Sequence, residues 1–369
     1  MNPVDIYINQ KLQERTEAGN LRTLKTQRAQ VDFFSNDYLG WATNNVLRSA
    51  SAGTGSTGSR LLSGNSAEME ALESTIAKFH HAEAALLFNS GYDANTGLLS
   101  ALANRHTTVL YDELCHASII DGVRLSLAPR QYKFRHNDTN DLARKLEQFA
   151  TAGPVIVVAE SVYSMDGDTA PLKEIASLAH QYHAAFIVDE AHATGVFGEN
   201  GAGLVSAENL EQYVFARVHT FGKALGCHGA AVAGSNRLKQ FLVNFARPFI
   251  YTTALPAHSI DTISNAYDHL LNSGHTNQQL HELIAYFRQQ VVNWGGGWKD
   301  SASPIQALIL GSNSKALAAA AALQQAGLQV NAILHPTVAK GEERLRVCLH
   351  SFNTREQVDL LFHTLKSVT

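Results

Sequence analysis

Residues 185–195 read Ala-Phe-Ile-Val-Asp-Glu-Ala-His-Ala-Thr-Gly, and this segment gives the clearest indication of the fold class. Its four leading apolar residues predict a strand that is buried on both faces, as in a parallel sheet covered by helices. Asp189 and His192 follow at once, and α/β folds place their ligands at the carboxyl ends of such strands. A carboxylate buried there needs a cationic partner, such as a protonated ring nitrogen. The structural alternative is an aspartate that caps the next turn.

The chain on both sides of this stretch repeats the same pattern of short apolar runs and helical segments. A clear helix at 172–183 separates two of the runs, which favours crossover connections and a mainly parallel sheet. We therefore predict a large α/β domain over about 51–250, with strands at 84–88, 107–111, 131–134, 155–159, 185–188, 214–220 and 230–233.

The two ends of the chain are predicted to form smaller parts. Residues 1–50 should hold a polar helix at 5–30 and a short strand at 31–34. Residues 251–369 should form a smaller α/β domain, entered through long helices at 257–272 and 278–293. Its strands are predicted at 305–310, 330–333 and 345–349, and its helices at 314–326 and 354–366.

Composition excludes several classes of protein. The 369 residues carry a formal net charge of -4 without a run of one sign, unlike the basic stripe of a nucleic-acid-binding protein. Cys115, Cys227 and Cys348 are odd in number and far apart, which favours a reduced protein. Since no run of about 18 apolar residues and no apolar N-terminal segment is present, we expect a cytoplasmic protein without a membrane partner.

A lysine that could form an imine follows another predicted strand. Residues 219–234 read HTFGKALGCHGAAVAG, in which Lys223 lies in a turn flanked by small residues. Lysine is rarely buried unless it is paired or functional, and burial beside positive charge favours its reactive neutral amine. One helical segment and one strand separate Asp189 from Lys223, so both should fall on the same edge of the sheet. A lone Lys in such a loop would be read as an ordinary surface residue.

Three further segments supply polar groups near predicted strand ends. Ser90-Gly91-Tyr92 precedes a helix, and the backbone N–H groups at a helix start bind phosphate well, although they also suit an ordinary capped helix. His116 follows the strand at 107–111 and could stack on a planar ring, or simply bond within a turn. Ser164 lies beyond the strand at 155–159.

Two other patterns do not support a site. Gly53-Thr54-Gly55-Ser56-Thr57-Gly58 fits GxGxxG, but no strand precedes it and a loop at 53–65 follows, so a dinucleotide site is not favoured. His180 and His183 have helical spacing, but no complete set of metal ligands accompanies them, and we predict no metal site.

Taken in order, the segments SGY, HAS, SMDGD, DEAH and TFGK resemble the α-oxoamine synthases, which are fold type I enzymes dependent on pyridoxal 5′-phosphate (PLP). The resemblance covers nearly the whole chain, from Asn36-Asp37-Tyr38-Leu39-Gly40 to Arg344-Leu345-Arg346. It implies an aspartate-aminotransferase-like α/β fold and a PLP cofactor. In this family an amino acid is condensed with an acyl thioester and carbon dioxide is lost.

The resemblance also implies roles for individual residues. Lys223 would hold PLP through an imine, Asp189 would pair with the ring nitrogen, and His116 would stack on the ring. His192 would touch the phenolic oxygen, and Ser164 would lie near the cofactor. The phosphate end is implied to lie at Gly91, Tyr92 and Thr220, with Thr252 and Thr253 reaching the phosphate of a neighbouring subunit in a homodimer.

The substrate residues are implied in the same way. Arg346 matches the arginine that grips the amino-acid carboxylate, a task suited to its two-pronged hydrogen bonding. Arg22 and Thr337 match substrate contacts, and Ser303-Pro304-Ile305-Gln306 resembles a segment of the family member that uses L-alanine and a pimeloyl thioester on coenzyme A or a carrier protein. The chain departs from that member at Leu334-His335, where an Arg-Pro pair is common, and this affects the predicted acyl contact.

Three alternatives remain at this stage. Other members of the family join glycine or serine to different acyl groups and share these segments. A fold type I aminotransferase would also hold PLP on Lys223, but would pass the amino group to the cofactor and need no thioester. A PLP-holding protein without activity is the third, and the joint presence of Lys223, Asp189, His192 and Arg346 argues against it.

Overall fold

The computed structural model describes residues 2–24, 30–49, 54–272 and 274–368. The chain divides into two compact units. We call them the terminal unit, made of Met1–Ser35, Met165–Gly167 and His281–Thr369, and the central unit, made of Asn36–Ser164 and Asp168–Leu280. Across the described ranges, no helix combines the length and apolar character needed to cross a bilayer.

The described residues form strands and helices in alternation. The strands are β1 Val31–Asp32, β2 Ala84–Phe88, β3 Thr108–Asp112, β4 Arg130–Phe134, β5 Val155–Glu160, β6 Ala185–Asp189, β7 Ala216–Thr220, β8 Ala230–Gly234, β9 Ile305–Ile309, β10 Leu328–Gln329, β11 Asn331–Ile333 and β12 Arg344–Cys348. The helices are α1 Pro3–Glu17, α2 Ala67–Phe79, α3 Gly91–Leu102, α4 Ala117–Leu125, α5 Thr139–Phe149, α6 Leu172–Gln181, α7 Leu204–Ala207, α8 Asn236–Phe245, α9 Arg247–Ile250, α10 Ala257–Asn272, α11 Gly274–Trp294, α12 Asn313–Gln325 and α13 Arg355–Lys366.

The central unit is built on a seven-stranded sheet in the order β2-β8-β7-β6-β5-β3-β4. The five strands from β7 to β4 in this order run parallel to one another, whereas β8 is antiparallel to both β2 and β7. The predicted α/β fold with a mainly parallel sheet is therefore confirmed. The carboxyl ends of the parallel strands share one edge, and the residues that follow them meet there.

Helices cover both faces of this sheet, which explains its continuous apolar strands. Neighbouring residues in a strand point to opposite faces, so Ile187 packs into the cluster that contains α3, α4 and α8, and Val188 into the cluster that contains α5 and α6. Both residues are almost fully buried. Burying a Val or Ile side chain in this way contributes about 1.5–3 kcal/mol to folding.

The terminal unit has two smaller sheets. The strands β11, β12 and β9 form an antiparallel sheet in that order, and β1 pairs in parallel with β10. The strand β1, near the N-terminus, thus pairs with a strand from the C-terminal part of the chain. Helices α12 and α13 belong to the same unit, as the sequence predicts.

Two sequence predictions near the N-terminus need comment. The helix predicted at 5–30 is wrong beyond Glu17, because Gly19 takes a positive φ of 64° and the backbone N–H groups of Ala18, Gly19 and Asn20 close the last turn. Residues 25–29 of that prediction lie outside the described residues. The loop predicted at 53–65 is a loop wherever it is described, and Gly53 lies outside the described residues.

Candidate active site

Two neighbouring parallel strands bring Asp189 and Lys223 to one edge of the central sheet. Asp189 is the last residue of β6, and β7 beside it ends at Thr220, three residues before Lys223. The expectation that both residues fall on the same edge agrees with this topology. Lys223 begins a series of hydrogen-bonded side chains. The carboxylate of Asp189 is fixed by hydrogen bonds of its own.

Asp189 is a buried carboxylate with its orientation fixed by two donors. Asn95 Nδ2 donates to its Oδ2 at 2.7 Å, and the backbone N–H of Ala191 donates to its Oδ1 at 2.9 Å. Only 5% of Asp189 is exposed. A buried carboxylate is strongly stabilised by a cation, so the site favours a ligand that carries positive charge.

Lys223 and His192 are in direct contact. Lys223 Nζ lies 2.8 Å from His192 Nε2, and the other ring nitrogen, Nδ1, lies 2.7 Å from the hydroxyl oxygen of Tyr38. Tyr38 and His192 are buried, and Tyr38 also donates its hydroxyl hydrogen to Asn36 Oδ1 at 3.1 Å. The imidazole is therefore held from both sides.

The start of α3 forms a cradle with the end of β7. Ser90 caps the helix by accepting from the N–H of Asp93, and the first N–H groups of a helix have no acceptor inside it. A Cβ at position 91 would collide with Thr220 Oγ1, so only glycine allows the hydroxyl and the helix start to approach so closely. N–H groups, the helix dipole and a hydroxyl at one point make a site for an anion such as phosphate.

His116 caps α4 and is tied to the same edge. Its Nδ1 accepts from the N–H of Ser118 at 3.2 Å and lies 2.8 Å from Ser118 Oγ, which in turn accepts from Asn95. Partial burial lowers the pKa of His116, and the charge of Lys223 acts in the same direction. The neutral ring is thus favoured, which suits stacking on a planar ligand.

The sequence reasoning missed Glu160, the last residue of β5. It pairs in register with Asp189 and accepts from the backbone N–H of His116. Burial raises the pKa of Glu160 to about 8, and the nearby charge of Asp189 adds to the effect. The signal was available, because Glu160 ends the apolar run at 155–159 in the same way as Asp189 ends its own.

Asn95 and Tyr38 were also missed as site residues. Asn95 lies one turn into α3, and no local pattern links it to Asp189, which is far away in the sequence. Tyr38 stands in the segment Asn36–Gly40 that carries part of the family resemblance, but its contact with His192 depends on the folded chain.

The remaining predicted cofactor residues are placed as follows. Tyr92 is in the first turn of α3, and its hydroxyl donates to Asp121. Asn89, which directly follows β2, donates to Thr252 Oγ1 at 3.1 Å and to the carbonyl of Thr253 at 2.8 Å. Ser164 lies beyond the end of β5 and is partly buried.

The predicted substrate residues all belong to the terminal unit. Arg22 Nη2 donates to Thr337 Oγ1 at 3.2 Å, and Asn20 Nδ2 donates to the carbonyl of His335 at 3.0 Å. The structure thus brings Arg22 and Thr337 together, beside the segment that departs from the family. Arg346 is a buried residue of β12, and its Nη1 donates to Cys348 Sγ at 3.0 Å.

The residues of the central unit fit PLP. Its aldehyde needs an amine, which Lys223 could supply, and its pyridinium nitrogen needs an anion, which the buried Asp189 could supply. Its phosphate needs N–H and O–H donors, and the close approach of Gly91 and Thr220 at the start of α3 provides them.

Comparisons with known proteins point the same way. A family model described as aminotransferase class I and II matches residues 28–365. The chain is 43% identical over 371 residues to an 8-amino-7-oxononanoate synthase of Emericella nidulans, a match that covers 91% of this chain and 89% of the relative. It is 39% identical over 383 residues to 8-amino-7-oxononanoate synthase 2 of Bacillus subtilis, covering 99% and 98%.

A solved structure shares the fold over the entire chain. A serine palmitoyltransferase variant from S. paucimobilis, with bound PLP and myriocin, superposes with a TM-score of 0.90 at 26% identity. The match covers 100% of this chain and 98% of that one.

Proposed function

Since the chain belongs to the aminotransferase class I and II family of PLP-dependent enzymes, we propose that it condenses L-alanine with a pimeloyl thioester to give 8-amino-7-oxononanoate. The observation that carries this proposal is the identity of about 40% to 8-amino-7-oxononanoate synthases over nearly the full chain. The fold, the PLP cofactor and the acyltransferase class agree with the same relatives. The product would serve biotin biosynthesis.

PLP supplies an electron sink that stabilises negative charge on the α-carbon of the amino acid. The buried carboxylate of Asp189, oriented by Asn95 and Ala191, would keep a proton on the ring nitrogen. Gly91, Tyr92 and Thr220 would bind the phosphate, and His116 would lie against the ring. His192 and Ser164 would complete the cofactor contacts.

Lys223 would act twice in the reaction. Its amine would hold the cofactor, and once displaced by alanine it would take the α-proton at Nζ. His192 Nε2, which lies 2.8 Å from Lys223 Nζ, would receive or return a proton at that nitrogen. A bond from the deprotonated α-carbon to the thioester carbonyl carbon would then replace the C–S bond, and the thiol would leave. The alanine carboxyl group would leave as carbon dioxide, and a proton would return to the α-carbon.

The substrates provide the direct test of the proposal. Purified protein supplied with L-alanine and pimeloyl thioester should release carbon dioxide faster than with glycine or serine, or with an acetyl or long-chain acyl thioester. We expect Arg346→Ala to raise the KM for alanine by about tenfold or more, since a two-pronged bond to its carboxylate is lost. Arg22→Ala should raise the KM for the thioester by a similar factor.

A matched pair of acyl groups isolates the role of Arg22. Heptanoyl has the chain length of pimeloyl without the terminal carboxylate, so Arg22→Ala should impair pimeloyl transfer and leave heptanoyl transfer nearly unchanged. Arg22→Lys, which keeps the charge, should retain part of the preference. Faster reaction of glycine with acetyl thioester would instead indicate a glycine C-acetyltransferase, and a stable pyridoxamine form after addition of alanine would indicate an aminotransferase.

We also propose that the active unit is a two-fold homodimer. Helix α1 has no buried residue, and Val4, Ile6, Tyr7 and Leu12 are each more than half exposed. An isolated helix of this length is only marginally stable in water, so a second copy that covers its apolar side chains would account for it. Thr252 and Thr253 would then reach the phosphate of the partner subunit.

Subunit mixing tests this arrangement. A heterodimer of Lys223→Ala with Thr252→Ala/Thr253→Ala should contain one intact site, and its activity should be about half that of the wild-type dimer. Each parent homodimer should be nearly inactive. Verified heterodimers without activity would show that the lysine and the threonines of one site come from the same chain.

The cysteines bear on the cellular compartment of the protein. We propose a reducing compartment such as the cytoplasm, because Cys115, Cys227 and Cys348 form no disulfide in the described part of the chain.

A further inference from the structure

The contacts around Tyr38 favour one placement of the hydrogens of the site. The hydroxyl of Tyr38 has one hydrogen, which it donates to Asn36 Oδ1 at 3.1 Å. With that hydrogen on Asn36, we assign the Tyr38 oxygen as the acceptor of the contact with His192 Nδ1 at 2.7 Å, which puts a hydrogen on Nδ1. In the neutral ring Nε2 then presents its lone pair to Lys223 Nζ at 2.8 Å.

This arrangement suits the removal of a proton from Lys223. An ammonium group cannot attack a carbonyl, so the amine must lose a proton before it reacts. The N–H bond at Nζ breaks, a bond forms at His192 Nε2, and the electron pair stays on Nζ. The positive charge moves to the imidazole ring, whose Nδ1–H remains bonded to the oxygen of Tyr38.

We propose that Tyr38 is a positioning residue that holds His192 in the tautomer able to accept the proton of Lys223. Tyr38 would act through His192, whose Nδ1 lies 2.7 Å from its hydroxyl oxygen. A hydrogen bond to a charged ring is worth more than one to a neutral ring, so Tyr38 also stabilises the imidazolium that the transfer produces. The proposal rests on Lys223 as the cofactor lysine, and is independent of which amino acid and thioester react.

Other charged groups surround the pair, and they are the same in the variants used below. The charges of Asp189 and Lys223 both act on Glu160 and on His116. A change seen on removing only the hydroxyl of Tyr38 is therefore attributable to that hydroxyl.

Tyr267 provides a matched control. It is also a fully buried tyrosine of the central unit, and its hydroxyl lies 2.9 Å from a ring nitrogen of His80, which is itself fully buried. Tyr267→Phe thus removes a buried contact between a tyrosine and a histidine that does not involve Lys223.

The test is nitrogen NMR of the full-length protein labelled with ¹⁵N-histidine, with the His192 signals identified from their loss in His192→Gln. In the wild-type apoprotein we expect a hydrogen on Nδ1 and a lone pair on Nε2. In Tyr38→Phe the fixed tautomer should be lost, and the midpoint of ring protonation should fall by about one pH unit, because the charged ring loses its acceptor. Tyr267→Phe should leave both observations unchanged.

A second measurement follows the consequence for Lys223. Added PLP should restore the visible absorbance of the apoprotein about tenfold more slowly at neutral pH in Tyr38→Phe than in the wild type or Tyr267→Phe. A wild-type ring with its hydrogen on Nε2, or a Tyr38→Phe protein with unchanged NMR titration and unchanged rebinding, would overturn the proposal. If Tyr38→Phe does not fold, 3-fluorotyrosine at position 38, a weaker acceptor of nearly the same shape, should give a smaller shift of the same sign.

Discussion

Replacing Lys223 by alanine should abolish covalent attachment of PLP and lower the rate of product formation by at least about 10³-fold. On our proposal the variant loses both the amine that holds the cofactor and the group that moves the α-proton, and proton transfer by a positioned side chain alone is worth about 10²–10⁴-fold. The measurement is borohydride reduction followed by peptide mass spectrometry, together with the rate of carbon dioxide release.

An exposed lysine supplies the control for this prediction. Lys78 lies on the outer face of α2 in the same unit, and Lys78→Ala should keep both the label at Lys223 and the activity. A Lys223→Ala protein that is still labelled by borohydride at another lysine would show that the cofactor is held elsewhere, whatever the substrates are.

Asp189→Asn should keep PLP bound and the fold intact, yet lose about 10²-fold or more in turnover. The amide has nearly the shape of the carboxylate but carries no charge, so the ring nitrogen would no longer be held protonated. It also presents an N–H where Asn95 or Ala191 now donates, which leaves one donor facing another. PLP content, thermal unfolding and carbon dioxide release measure the three expectations.

An exchange of two side chains separates charge from hydrogen bonding. The double variant Asp189→Asn/Asn95→Asp restores a donor–acceptor pair but moves the carboxylate to α3. If the charge must face the ring nitrogen, the double variant should remain as inactive as the single one. Recovery of most of the activity in the double variant, or unchanged turnover in Asp189→Asn, would show that the negative charge at position 189 is not needed.

The strands of the fold could be read from the sequence because burial on both faces makes them continuously apolar. The ranges predicted for β2 and α10 agree with the structure to the residue, and β3 to β7 differ by one or two residues at their ends. The direction of β8 could not be read in this way, because Ala-Ala-Val-Ala-Gly is apolar in either orientation. Its position between β2 and β7 depends on pairing across long stretches of chain.

The residues of the candidate site also fall into those that the sequence pattern reveals and those that it does not. Asp189 ends β6, and His192 and Lys223 each lie three residues after the end of a strand, so that topology alone brings them to one edge. Tyr38 and Asn95 act through contacts with residues far away in sequence, and no spacing rule reveals those contacts. The Arg22–Thr337 hydrogen bond connects a segment near the N-terminus with one in the C-terminal part of the chain. Only the family resemblance linked these two residues to a common task.

The order of strands in the central sheet has a consequence for the synthesis of the protein on the ribosome. β2 is an edge strand whose hydrogen-bonded neighbour, β8, is made roughly 150 residues later, and at about 5–20 residues per second this delay is on the order of ten seconds. Throughout that interval the apolar segment of β2 would lack its strand partner, and an unpaired strand edge favours association with other chains. The anion cradle at Gly91 follows β2 and closes against Thr220. If this cradle binds the phosphate as we propose, a growing chain would take up PLP only late in translation, when most of the polypeptide has been made.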